Sequence, residues 1–176
     1  SVAGITALAS VAMGLGAAHG IDTPGLLAIG LATGLGAGAI NGALVTWLRV
    51  PSIVATIGTM TLFRGVAYAV LGDRVLKDYP DSFAVLGQGY AVGAISIGLC
   101  IFAVLALLTA VFLHATRWGH SLFAMGTNAV AARWSGIPVA RYRFALFCAS
   151  GSMSGLAAGM LTSRLGSARP WIAQGW

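Results

Sequence analysis

Five stretches of this 176-residue chain, roughly 2–20, 25–48, 52–71, 92–115 and 143–163, are long and apolar enough to cross a bilayer. A helix needs about 20 mainly apolar residues for that, since each residue advances it by only 1.5 Å. A soluble core is excluded: 58% of the residues are apolar and 8% charged, whereas soluble domains carry about 25% charge. The mean hydropathy of +0.89 is opposite to that of disordered chains. The first run has no basic start, which argues against a cleavable signal peptide. The chain starts without Met inside an apolar run and stops without a polar tail. A piece of a longer protein, truncated at both ends, is therefore expected.

The charges orient these spans. Ten Lys and Arg face four Asp and no Glu, a net charge of +6. On a soluble domain that balance points to nucleic acid, but here the charges lie between apolar runs, as topology signals do. No nucleic-acid partner is expected. Segment 116–142 holds Arg117, Arg133 and Arg141, with Arg143 just beyond, and no acid. Segment 72–91 mixes Arg74 and Lys77 with Asp73, Asp78 and Asp81. The positive-inside rule puts 116–142 in the cytoplasm and 72–91 outside. Alternation then places the N-terminus and Arg49 inside and Asp22 outside. Arg164 and Arg169 fall outside, against the trend.

Small residues recur every four positions. Gly30, Gly34, Gly38 and Gly42 form one stripe, and Gly151, Gly155 and Gly159 another, with a shorter stripe at Ala12, Gly16 and Gly20. Residues four apart share a helix face, and small faces let backbones approach closely in lipid. The fold class expected is all-α, a polytopic transmembrane bundle of about five spans, with residues 1–176 as a single domain.

Chemistry is sparse. No Asp lies in a span, no HExxH occurs, and Gly151-Ser-Met-Ser-Gly155 has Met153 where a GxSxG nucleophile would stand. The only lysine, Lys77, follows Leu76, so there is no nucleotide-binding P-loop. Cys100 and Cys148 sit in apolar runs and read as buried thiols rather than a disulfide or metal pair. We expect no catalytic residue, no metal and no bound cofactor, hence a transport subunit rather than an enzyme. Arg64 is the one charge within a span, at a depth that costs several kcal/mol unless it snorkels or pairs. Snorkelling to the outer surface and a place on a solute path both remain open for it. Asn41, Thr46, Thr56, Thr59 and Thr61 add hydrogen-bonding groups to the same two spans. They either tie helices or line a path, the candidates for which are Asn41, Thr56, Thr59 and Arg64.

The cytoplasmic loop carries a bounded element. Asn128 is a good N-cap, Gly136 a natural residue past a helix end, and Pro138 forbids continuation. The outcome is a helix of about two turns, too short to stand alone in water. It either lies on the lipid surface or docks a protein.

Residues 126–137, GTNAVAARWSGI, resemble the coupling loop of bacterial ABC importer permeases of the simple-sugar class, which typically reads GxNPEAARLSGI. Asn128, Ala131, Ala132, Arg133, Ser135, Gly136 and Ile137 match, while Ala129, Val130 and Trp134 replace Pro, Glu and Leu. Residues 41–60, NGALVTWLRVPSIVATIGTM, followed by Phe63-Arg64-Gly65, are similar to another stretch of that family, as are Ser1-Val2 and the segment from Ser163 to Pro170. The resemblance implies a short cytoplasmic coupling helix whose seven matching residues meet a separate ABC ATPase dimer, which binds ATP and Mg. It also implies a second permease subunit, like or unlike, a periplasmic solute-binding protein docking on 72–91, and location in the bacterial inner membrane. The solute expected is a simple sugar or autoinducer-2. Leu86-Gly-Gln-Gly-Tyr90 and Arg169-Pro170 look closer to the rhamnose and autoinducer-2 branch. Alternatives are a branched-chain amino acid or nucleoside importer, a passive channel or an intramembrane enzyme.

Overall fold

A computed structural model describes residues 2–72, 83, 87, 89–92 and 95–166. The charged part of segment 72–91 and the Arg169-Pro170 pair lie outside these. The described elements are α1 (Val2–Ala18), α2 (Thr23–Thr46), α3 (Ser52–Leu71), a short antiparallel ribbon of β1 (Tyr90–Val92) and β2 (Ile95–Ser96), and then α4 (Ile97–Ala115), α5 (Arg117–Thr127), α6 (Ala129–Trp134) and α7 (Val139–Leu165). The class is an all-α polytopic bundle. Helices α2, α3, α4 and α7 are each long and apolar enough to span a membrane, and α1 is an apolar helix of 17 residues.

Each boundary has a local cause. Asp22 precedes α2 and Pro24 occupies its first turn, where a missing N–H is harmless. Pro51 stands just before α3. The expected span 92–115 starts as helix only at Ile97, because the Ser96 hydroxyl accepts from Leu99 N at 3.3 Å and caps it there. The residues just before it pair as the ribbon.

The short helix is the innermost. Ala7, Ala9, Val11 and Met13 stand at steps of about 200° round the α1 axis, yet none is more than 2% exposed. A helix buried over most of its circumference must be mainly apolar, and the two hydroxyls that α1 buries, Thr6 and Ser10, donate to Val2 O and Ala7 O of the same helix. Ile5 packs with Ala37 and Phe63; Ala9 and Met13 pack with Ala158; Val11 packs with Ala67 and Leu71. At the end of the bundle away from α6, Ala17, Leu26 and Phe83 close the core. There the Ser163 hydroxyl donates to Phe83 O and accepts from Gly87 N. Residues 83 and 87 are thus folded onto the C-terminal end of α7.

Helix α4 contributes no buried residue and packs against α5 and the ribbon. An apolar gap of about 560 Å³, lined by Phe102, Leu105, Met153 and Met160 among others, separates it from α7. Cys100 and Cys148 are half-buried rather than buried, each with a free thiol. Leu35, Ile40, Ile53, Ile57, Leu62 and Leu107 are exposed on the spans. An apolar belt of that extent suits contact with lipid rather than water.

Candidate functional site

One corner of the bundle is built from α5, α6 and the start of α7. Thr116 caps α5, its hydroxyl accepting from Gly119 N at 3.2 Å. Gly119 is required where α5 folds back on α4, because a Cβ there would overlap the Leu113 carbonyl. Sequence reasoning missed α5; Thr116 three residues before Gly119 was the signal that could have found it. Trp118 packs on Tyr142, ring centroids 4.8 Å apart, tying α5 to α7.

Helix α6 is a firm knob. Asn128 Oδ1 accepts from both Val130 N and Ala131 N at 3.0 Å, satisfying two N–H groups that a helix start leaves free. At its other end, Ser135 N donates to Ala131 O, Gly136 N to Arg133 O and Ile137 N to Ala132 O, at 3.0–3.1 Å. Gly136 adopts φ +81°, a conformation a side chain would strain. Ala132 and Val139 are buried beneath, at 5% and 4% exposure. Val130 and Trp134, on the opposite side of α6, are exposed, Trp134 to 88%. Of the seven matched residues, Ala132 alone is buried; Ile137 is half-buried and the other five are exposed.

From this knob α7 runs unbroken for 27 residues, about 40 Å at 1.5 Å each. Its small stripe faces that of α2. A Cβ on Gly34 would overlap the Gly151 carbonyl, one on Gly38 the Phe147 carbonyl, and one on Gly155 the Gly30 carbonyl. Gly42 abuts Phe144, and Gly159 abuts Leu27. With so little between them, the two helices meet backbone to backbone, and Trp47 stacks on Phe144 at 5.2 Å where they emerge.

None of the four candidate path residues lines the gap between α4 and α7. Thr59 Oγ1 donates to Asn41 Oδ1 at 2.6 Å, both residues being buried. That bond ties α3 to α2, while Asn41 Nδ2 is left without a partner. Thr56 is half-buried and bonds its own helix, donating to Ile53 O at 3.2 Å. Arg64 lies two turns further along the same half-buried edge of α3, with its Nε buried and unpaired.

The whole chain, residues 1–176, matches the family described as "Branched-chain amino acid transport system / permease component". It is similar to the protein called "Autoinducer 2 import system permease protein LsrC" in several bacteria. Identity is 34% over 166 residues for that of Enterobacter sp. (strain 638), covering 94% of this chain and 48% of the relative. It is 34% for that of Yersinia enterocolitica, covering 94% and 46%, and 33% for that of Escherichia coli (strain K12 / DH10B), covering 94% and 48%. The chain spans about half the length of the curated relatives it matches. No solved structure matches it. With its apolar spanning helices, the chain is a multi-pass protein of the bacterial inner membrane and belongs to the permease-component family of these transport systems.

Proposed function

We propose that the chain forms part of the permease of an ATP-driven importer for autoinducer-2 or a simple sugar. The observation that carries this reading is the capped α6 knob, held by a hydrogen-bonded turn to a helix zipped along α2. A force applied at Val130 and Trp134 would pass through the turn 135–138, which backbone hydrogen bonds hold, into α7 and so to the middle of the bundle. The force would come from a cytoplasmic ABC ATPase dimer, with its ATP and Mg, gripping the knob. Asn128, Ala131, Ala132, Arg133, Ser135, Gly136 and Ile137 give the knob its shape and surface. A second permease subunit would complete the solute path, and a periplasmic binding protein would deliver the solute from outside.

A neutral polyhydroxylated solute suits the polar groups of α2 and α3, which apart from Arg64 and the Tyr68 phenol are aliphatic hydroxyls and the Asn41 amide. An amino acid would bring an ammonium group, and the only acid among the described residues, Asp22, precedes α2 at the outer end. The family description still names branched-chain amino acids, so ligand binding by the partner binding protein is the deciding measurement between the two solute classes.

Uptake by cells carrying Ala132→Arg tests the coupling role. Transport should fall to background while the protein still inserts, because a buried contact under the knob is replaced by a charge. Uptake that survived Ala132→Arg would remove α6 from the coupling path.

A further inference from the structure

Between the α2–α3 turn and the α6–α7 corner lies an open cleft of about 1060 Å³. Three arginines line it, Arg49, Arg133 and Arg143, together with apolar walls that include Val45, Val50 and Phe147. All three arginines are exposed. Among the described residues the only acid is Asp22, at the far end of α2, about 36 Å away at 1.5 Å per residue. Nothing described therefore neutralises this cleft.

A second observation singles out Arg49. It is the only non-glycine among the described residues with a positive φ, +55°. It lies two residues past the Trp47 cap of α2, in the left-handed region that glycine enters at least cost, with Val50 N reaching back to Leu44 O at 3.1 Å. A strained arginine where glycine would be relaxed points to a use for its side chain. A third observation gives the cleft its depth. Trp47 on Phe144 and Trp118 on Tyr142 pack at the same end of the bundle, and such aromatic residues collect at the lipid–water interface.

We propose that this cleft seats the phosphodiester headgroup of an anionic phospholipid of the cytoplasmic leaflet. The guanidiniums supply the charge and the paired donors that phosphate oxygens accept, and the apolar walls take the first part of the acyl chains. Basic pockets between spanning helices at this depth hold such headgroups. A protein's carboxylates would account for the charge but leave the apolar walls without a partner. Val130 and Trp134, moreover, offer the outward face of α6 to a protein. The lipid thus bridges the turn after α2 to the knob and is a structural part of the corner.

Native mass spectrometry of the whole permease, taken from phosphatidylethanolamine membranes containing phosphatidylglycerol, tests this. The wild type should retain phosphatidylglycerol in preference to phosphatidylethanolamine. The pair Arg49→Gly with Arg143→Gln should retain it about 25-fold less well, given the usual worth of a basic residue near an anionic surface. Arg141→Gln, which loses one charge outside the cleft just as Arg49→Gly alone loses one within it, should retain it fully. Arg49→Gly alone should lose lipid without losing thermal stability, since glycine relieves the backbone, which separates lipid loss from misfolding. Equal retention by the cleft variants, or equal loss in Arg141→Gln, overturns the proposal. So does displacement of the lipid by equimolar inorganic phosphate, which would mark a bare anion site. Cleft variants that keep the lipid but lose a partner ATPase would assign the arginines to protein carboxylates and overturn it too.

Discussion

Gly34 and Gly151 meet backbone to backbone, so that a Cβ built on either would overlap the carbonyl oxygen of the other. Close approach of this kind is how helices associate in lipid, where burial of apolar surface gives no net drive. Gly34→Ala should therefore destabilise the bundle by about 1–3 kcal/mol, the usual cost of overpacking. Gly36→Ala, on the same helix with nothing within 4 Å of the added carbon, should be neutral or stabilising by about 0.5 kcal/mol. Thermal unfolding of the two variants in detergent compares them directly; equal losses would show that the α2–α7 contact is not what the glycines serve.

The Thr59–Asn41 bond is amenable to a double-mutant cycle. Thr59→Val leaves the Asn41 carboxamide buried with neither end paired, and should cost about 1–3 kcal/mol. Thr59→Val combined with Asn41→Leu should cost less than the sum of the single changes. A coupling energy of about 0.6–1.7 kcal/mol is expected for a hydrogen bond between membrane helices. Additive losses in chemical unfolding would mean that the two groups act separately, as path residues rather than as a tie.

Asn128→Ala removes the acceptor for two N–H groups at the start of α6 and should cost about 1 kcal/mol locally. Asn128→Asp keeps the cap. Hydrogen exchange at Val130 and Ala131 should speed up in the first variant and not in the second, and uptake should fall in the same order.

Trp134→Ala touches a side chain that is 88% exposed. It should leave the melting temperature of the isolated protein unchanged, because no packing is lost. If the outward face of α6 meets an ATPase, the same variant should weaken co-purification of that subunit by tenfold or more, as loss of a buried aromatic anchor does. Unchanged capture would place the contact elsewhere on the corner.

Local signals in the chain were enough for the spans and for the knob. Apolar runs define helices in a bilayer because each backbone group must bond within its own helix, and Asn128, Gly136 and Pro138 bound α6 through bonds to near neighbours. The four-residue spacing also marked both glycine faces, since spacing along one helix sets which residues share a side. It could not say that those two faces meet each other, because that pairing joins residues more than a hundred positions apart. Helix tying was one of the two readings open for Asn41 and Thr59, and only the fold shows that these two groups bond each other. The same limit hid the cleft that collects Arg49, Arg133 and Arg143 from three separate segments. Cys100 and Cys148 were misjudged for the opposite reason: an apolar run reports what is shielded from water, and lipid shields as well as protein does. What crosses the membrane is written in the composition of each segment, whereas what touches what is decided by packing among segments, which only the folded bundle contains.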